Sequence, residues 1–207
     1  YSNYRSGGTN RIIAYHSWDD FEDADRNTNA PNIIMTGSLD GNVSAIKVSP
    51  FTTDSSTIFV GTESGSVFKV TNADTADAND NSTANWSNIT GSQFLGSVSD
   101  IEFGKDENHL FVTFHNYGVE NIFYSEDGGQ SWTEKEGNLP DIPVRCILQN
   151  PLSLNEVIIG TELGVWYTKN FESDNPDWSR ANSGMSDVRI TDLDMRDDYK
   201  VFAATYG

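Results

Sequence analysis

The chain has 207 residues, and its 13 lysines and arginines stand against 31 aspartates and glutamates, a formal net charge of −18. Phosphate backbones and anionic membranes are bound by clustered Lys and Arg, so this charge argues against nucleic acid and membrane surfaces as partners. With 36% hydrophobic and 12% aromatic residues the chain can fill a core, so we expect a folded domain. No apolar stretch approaches the roughly 20 residues that span a bilayer. Residues 1–4 resemble no export signal, so we expect a mature or excised segment.

The first predicted strands lie at residues 11–16 and 33–36 and fit the third and fourth strands of an incomplete antiparallel unit. An acidic insert, residues 18–32, separates them. Four of its carboxylates lie close together in sequence: Asp19, Asp20, Glu22 and Asp23. Such oxygen ligands can bind Ca²⁺, but the insert lacks the D-x-D-x-D-G spacing of a calcium loop. We therefore predict no metal and no other cofactor, with Ca²⁺ at this insert as the alternative.

From Val43 onward, a unit of about 46 to 55 residues recurs along the sequence. Each unit contains two apolar strands, a short turn with glycine and a third strand, as in a hairpin. The first strands are Val43–Val48, Val98–Phe103, Val144–Gln149 and residues 190–195. The second strands are Ile58–Thr62, Leu110–Phe114, Val157–Thr161 and residues 201–205. The third strands are residues 66–70, 121–124 and 165–168, and a fourth carries Trp86, Trp132 or Trp178.

Four antiparallel strands in a unit of this length are typical of a β-propeller blade, so the sequence predicts an all-β propeller. The predicted order is a partial blade 1–42, blades 43–97, 98–143 and 144–189, and a partial blade 190–207. Because a tryptophan recurs in every complete unit, we expect Trp86, Trp132 and Trp178 to be largely buried at the blade peripheries.

The first strands carry bulky residues such as Phe103 and Met195, which suit a wide central channel better than a narrow one. We therefore expect the chain to be part of a propeller of about six to eight blades. The alternative is a closed four-bladed ring in which residues 11–16 and 201–205 share one sheet.

Two further features bear on the compartment. Cys146 is the only cysteine and lies in an apolar run, so we expect a buried, unreactive thiol and no disulfide. The polar insert 72–85 cannot bury a core, so we expect it to be mobile. Its Asp74-Thr75-Ala76 resembles the O-glycosylation sequence of bacteria that export surface proteins by the type IX route. These features favour an extracellular or bacterial cell-surface location.

Residues 125–132, Ser-Glu-Asp-Gly-Gly-Gln-Ser-Trp, fit the pattern S-x-D-x-G-x-x-W. This pattern resembles the Asp-box, or BNR, motif of sialidases, sortilin-like (Vps10) propellers and family 74 glycoside hydrolases. The resemblance implies that Ser125, Asp127, Gly129 and Trp132 form a structural turn on the face remote from the ligand. It assigns no catalytic role to Asp127.

In a blade of four antiparallel strands, the turns between strands two and three share one end with the loops that lead into the next blade. That end is the usual ligand side in the resembling families, and its loops are short here. The candidate ligand-face residues are Asp40, Glu63, His115, Tyr117, Asp141, Arg145 and Glu162.

The sequence favours a recognition or scaffold module for a glycan or protein, held with other domains or blades of a larger chain, and predicts no catalytic residue. The alternative is part of a glycoside hydrolase, xyloglucanase- or sialidase-like, whose catalytic carboxylates lie partly outside this segment. A sialidase would need several arginines around the sugar carboxylate, and only Arg145 is well placed. The choice between module and enzyme stays open at this point.

Overall fold

The computed structural model describes the backbone of residues 2–6, 9–14, 33–35, 39–73, 84–181, 183–184, 187–196 and 199–206. Side chains are described from residue 39 onward. This part of the chain is built of antiparallel β-sheets, as predicted. It contains no helix with the length and hydropathy of a membrane span.

Three sheets have four strands each, and their strands follow chain order from one edge to the other. The first contains β4 (Val43–Val48), β5 (Ile58–Thr62), β6 (Val67–Thr71) and β7 (Asn85–Asn88). The second contains β8 (Val98–Phe103), β9 (Leu110–Phe114), β10 (Ile122–Ser125) and β11 (Thr133–Glu134). The third contains β12 (Val144–Gln149), β13 (Val157–Thr161), β14 (Gly164–Thr168) and β15 (Ser179–Arg180). Each sheet therefore has the strand order of a propeller blade.

The two remaining sheets lie at the ends of the described residues. One contains β1 (Ser2–Ser6), β2 (Thr9–Ala14) and β3 (Ile33–Met35), and the other contains β16 (Arg189–Met195) and β17 (Val201–Tyr206). The sequence did not predict β1, because its residues SNYRS show no apolar alternation and its partner β2 supplies the pairing. Strands β2 and β17 belong to different sheets, so the shared sheet of a four-bladed ring is not observed.

The first strands of successive sheets are neighbours: β4 contacts β8, β8 contacts β12, and β12 contacts β16. Each of them also has a shift in pairing register one or two residues after its start, at Ser44, Ser99, Arg145 and Thr191. A bulge bends a strand and turns one side chain away from the regular alternation. At one of these bulges Ser99 Oγ donates a hydrogen bond to Val144 O of the next sheet, 2.7 Å away. At Ser99, the bulge therefore lies where two adjacent first strands meet.

The core lies between the sheets. Phe59 of the first sheet packs with Phe103 and Leu110 of the second, and Phe111 of the second packs with Ile147 of the third. Gly61 faces Val98 of the next sheet so closely that a Cβ would clash, and Gly160 has the same relation to Ile190. Glycine is therefore required where neighbouring sheets approach closely. Cys146 is buried in the next such layer, and burial raises the pKa of its thiol to about 12.

Two tryptophans tie their sheet to the preceding one. Trp132 Nε1 donates to Ile89 O at 2.8 Å, and Trp178 Nε1 donates to Lys135 O at 3.1 Å. Both tryptophans precede the short fourth strand instead of lying in it. Trp178 is 2% exposed, and Trp86 and Trp132 are partly buried, each packed against a hydrophobic cluster.

The loop between β10 and β11 is a hydrogen-bonded turn around Ser125 and Asp127. Ser125 Oγ accepts the Gly129 amide at 2.8 Å and donates to Asp127 Oδ1 at 2.8 Å. Asp127 accepts the Ser131 amide at 2.9 Å and the Ser131 hydroxyl at 2.6 Å. These bonds hold the pKa of Asp127 at about 2. Gly129 has φ +90°, which a residue with a side chain rarely adopts.

Two predicted features lie outside the described residues. They are the acidic insert that contains Asp19, Asp20, Glu22 and Asp23, and residues 74–83 of the polar insert 72–85. The calcium alternative and the mobility of the polar insert stay predictions.

Candidate functional site

The candidate site lies at the end of the sheets where β5 turns into β6, β9 into β10 and β13 into β14. At this end a backbone bond recurs: the residue after the second strand donates to the residue before the first. Glu63 N donates to Asn42 O at 2.9 Å, His115 N to Ser97 O at 3.3 Å and Glu162 N to Pro143 O at 3.2 Å. Three consecutive sheets therefore hold Glu63, His115 and Glu162 in equivalent positions.

Arg145 and Glu162 form an ion pair at this end. Arg145 Nε donates to Glu162 Oε1 at 2.5 Å, and an Nη2 contact to the same oxygen completes the ion pair. Both side chains are about three-quarters buried, with 27% and 23% exposed. Arg145 is presented here because it occupies the bulge of β12. The guanidinium is thus already paired and does not form an open anion clamp.

His115 lies in the electrostatic field of Arg145, Glu162 and Glu63. Burial, followed by the charge of Arg145, lowers the pKa of His115, and the two glutamates only partly oppose this effect. Its Nδ1 is buried and has no hydrogen-bond partner among the described residues. The imidazole is therefore neutral near pH 7 and retains hydrogen-bonding capacity next to an ion pair.

The two candidate aspartates hold loops in place. Asp40 accepts hydrogen bonds from Thr62 Oγ1 at 3.2 Å and Ser66 Oγ at 2.5 Å, so it fixes the turn that carries Glu63. Asp141 accepts the Gly118 amide at 2.7 Å and fixes the loop that carries Tyr117. Tyr117 itself is 65% exposed. The structure therefore gives the candidate residues two roles, with Asp40 and Asp141 supporting the loops and Tyr117 available for contact.

A cleft with a volume of about 550 Å³ lies beside Asp141. The sequence predicted Asp141 as a site residue but none of the other carboxylates that line this cleft. It is lined by Glu120, Glu134 and Glu136 together with Asp141. Burial raises the pKa of Glu136 to about 7, although its carboxylate accepts the Asn121 amide at 2.7 Å. Burial and the neighbouring Glu134 also raise the pKa of Glu120. The Glu-Lys-Glu sequence at 134–136 did not indicate a cluster of carboxylates, because only the fold brings Glu120 beside it.

Metal binding has no support in this part of the chain. Within the described residues no group of three or more His, Cys, Asp or Glu side chains is arranged to hold a metal ion. His109, one of the three histidines, instead bonds Asp106 through Nδ1 at 2.6 Å.

No protein-family model matches this chain, and no curated protein matches it. Solved structures share its fold. The crystal structure of an ancestral GH74 enzyme superposes with a TM-score of 0.59 at 19% identity, over 84% of this chain and 23% of that one. The computationally designed Ika4 protein superposes with a TM-score of 0.51 at 14% identity, over 87% of this chain and 100% of that one. At such identities the likeness shows the fold alone: this chain is a β-propeller segment that spans 23% of the GH74 enzyme.

Proposed function

We propose that this chain is a glycan-recognition module of a secreted or cell-surface protein, and that further blades or domains of a longer polypeptide accompany it. The observation that carries the proposal is the juxtaposition at one propeller end of a neutral His115, the Arg145–Glu162 pair and an exposed Tyr117 loop. Sugar hydroxyls both donate and accept hydrogen bonds, so they suit a mixture of imidazole, guanidinium and carboxylate. A tyrosine ring offers an apolar face to a sugar ring and a hydroxyl at its edge.

The resemblance to the GH74 enzyme supports a carbohydrate as the ligand class, because that enzyme shares the propeller fold over most of this chain. The resemblance to Asp-box propellers supports the end that carries His115 and Tyr117 as the ligand side. A sialic acid is a poorer candidate than a neutral glycan, since Arg145 already neutralises Glu162.

Glycan binding is tested with the full chain on an array that includes xyloglucan oligosaccharides, β-glucans and sialosides. Binding to a neutral glycan that falls at least tenfold in Tyr117→Ala supports the proposal. Tyr167→Ala is the matched control, because Tyr167 is also exposed but lies in β14. Equal loss in both variants, or no binding to any carbohydrate, would contradict it.

The second candidate is a portion of a glycoside hydrolase, and the cleft beside Asp141 favours it. Glycosidases pair a carboxylic acid of raised pKa with an ionised carboxylate. Glu136 has such a raised pKa, and Asp141 lines the same cleft. Release of reducing sugar from xyloglucan or a β-glucan, abolished by Glu136→Gln, would support this function over the recognition module.

A further inference from the structure

Short turns join the second and third strands of the first and third sheets, and a threonine hydroxyl anchors each turn. Thr62 Oγ1 accepts the Ser66 amide at 3.0 Å, and Thr161 Oγ1 donates to Gly164 O at 2.8 Å. Both threonines are the last residue of the second strand of their sheet. A hydroxyl at this position therefore fixes the turn in both sheets.

The Tyr117 loop, residues 115–121, is the equivalent connection of the second sheet and lacks this anchor. The second strand ends here at Phe114, which has no hydroxyl. Phe114 N donates to Asn121 O at 2.9 Å, and the same bond in the first sheet shows that Asn121 occupies the place of Ser66. The Asn121 amide instead donates to Glu136 Oε2, 2.7 Å away. A carboxylate that follows β11 thus replaces the threonine hydroxyl.

Asn121 connects Glu136 with residues on both sides of Tyr117. Its Oδ1 accepts the Asn116 amide at 3.3 Å, and its Nδ2 donates to Val119 O at 3.0 Å. Asn121 is fully buried and Glu136 is 8% exposed, so water competes little for these bonds. Loss of the bond at Glu136 should therefore loosen the loop on both sides of Tyr117.

We propose that Glu136 is a positioning residue, which holds the Tyr117 loop in the conformation that binds ligand. This inference rests on the proposed recognition function, in which the exposed Tyr117 contacts the ligand. Asp141 supports the same loop through the Gly118 amide at 2.7 Å. The loop is thus held at two points, and Glu136 is the buried one.

The surroundings of Glu136 make this anchor sensitive to pH. Three carboxylates line the same cleft: Glu120, Glu134 and Asp141. Among the described residues that line it there is no Lys, Arg or His, and the loop of the next sheet contributes the uncharged Asn175. Lys135 Nζ donates to Ser173 O at 2.8 Å instead. Burial and the charges of Glu120 and Glu134 raise the pKa of Glu136 to about 7, although its bonds to Asn121 oppose this effect.

A proton on Glu136 therefore favours the anchored loop. Release of the loop would expose the carboxyl group to water and return its pKa towards the ordinary, lower value, so ionisation favours release. The stabilising contribution of the proton is largely present at pH 5 and is lost as the pH rises through about 7. The Ser66 amide provides an internal contrast, because the hydroxyl of Thr62 does not titrate in this range.

Hydrogen exchange of the 207-residue chain without ligand, followed by NMR, tests the positioning role. Between pH 5 and pH 8 the protection factors of the Asn121 and Asn116 amides should fall at least tenfold, whereas that of Ser66 should not change. Glu136→Gln keeps a carbonyl acceptor that does not titrate, so it should remove the pH dependence at both amides. Glu136→Ala removes the acceptor and should lower protection of both amides at either pH.

Glu134→Gln is the matched control, because Glu134 lines the same cleft without bonding the Asn121 amide. This variant should keep the pH dependence. Circular dichroism checks that each variant retains its sheets. A pH dependence that persists in Glu136→Gln, or protection of Asn121 and Asn116 that is unchanged in Glu136→Ala, would overturn the proposal.

Isothermal titration with a xyloglucan oligosaccharide at pH 8 relates the loop to binding. Glu136→Ala should bind at least fivefold more weakly than Glu136→Gln, since only the second variant keeps the loop anchored. Equal binding by the two variants would overturn the positioning role. If no variant and no unmodified chain bound any carbohydrate while the exchange results held, the recognition function would fail and the exchange results would still support Glu136 as the anchor of the loop.

Discussion

Two loops in neighbouring sheets make the same hydrogen bonds with different sequences. In the β10–β11 loop Ser125 Oγ donates to Asp127 Oδ1, which accepts the amide of Ser131, the residue before Trp132. In the β14–β15 loop Thr168 Oγ1 donates to Asn170 Oδ1 at 2.8 Å, and Asn170 accepts the amide of Asp177, the residue before Trp178, at 2.9 Å. The longer loop spans seven residues between acceptor and donor instead of four. The turn therefore depends on a hydroxyl, a side-chain carbonyl and a tryptophan, and it tolerates an insertion and the loss of charge.

The largest difference between the loops should be in how much their tryptophans contribute to the free energy of unfolding. Trp178 is buried among Phe171, Leu139 and Ile142, so Trp178→Ala should lower the free energy of unfolding by about 3 to 5 kcal/mol. Trp132 is half-buried, so Trp132→Ala should cost about 2 kcal/mol. Urea unfolding followed by circular dichroism measures both. Phe202→Ala, on the exposed β17, is the control and should change stability by less than about 0.5 kcal/mol. Equal losses for both tryptophans would show that the difference in burial does not matter.

Removing the side-chain oxygen that accepts the hydrogen bonds of each loop, in Asp127 or Asn170, should have a smaller effect on stability. Asp127→Ala and Asn170→Ala each leave an amide and a hydroxyl without their partner, so each should cost about 1 to 2 kcal/mol. Asp127→Asn keeps a carbonyl acceptor, as Asn170 does, and should cost less than about 1 kcal/mol at pH 7. If Asp127→Asn is as damaging as Asp127→Ala, the two loops are not equivalent and the charge is essential.

The smallest effect is a difference between the two loops in how their contribution to stability depends on pH. The pKa of Asp127 is lowered to about 2 in the folded protein, so its contribution to stability is present above about pH 4 and is lost as the pH falls towards 2. Asp127→Asn should remove this part of the acid dependence, whereas Asn170→Asp should add a similar dependence at the other loop. Thermal unfolding at pH 2.5, 4 and 7 provides the comparison. An acid dependence unchanged in Asp127→Asn would contradict the assignment.

The same two loops show which features of the structure can be predicted from the sequence. The pattern at 125–132 was visible because its spacing is compact, and the strand repeat was visible because apolar residues recur at fixed distances. The equivalent turn around Asn170 was hidden, since three inserted residues and the Asp-to-Asn difference remove the pattern while the fold preserves the bonds. The carboxylates of Glu120, Glu134 and Glu136 were missed for the related reason that a cleft forms only after strands pair. The difference in burial between Trp132 and Trp178 was not predicted, because the two residues occupy the same position in the repeat.

Both loops lie at the end of the sheets opposite to His115, Arg145 and Tyr117. We therefore propose that one end of the molecule fastens each blade to the next and that the other end contacts a ligand. Isothermal titration of the full chain with a xyloglucan oligosaccharide, comparing the unmodified chain with Tyr117→Ala and Asp127→Asn, tests this division most directly. We predict that Tyr117→Ala weakens binding at least tenfold and that Asp127→Asn leaves it unchanged. Binding that does not change in Tyr117→Ala would contradict this prediction. So would loss of binding in an Asp127→Asn variant that is fully folded.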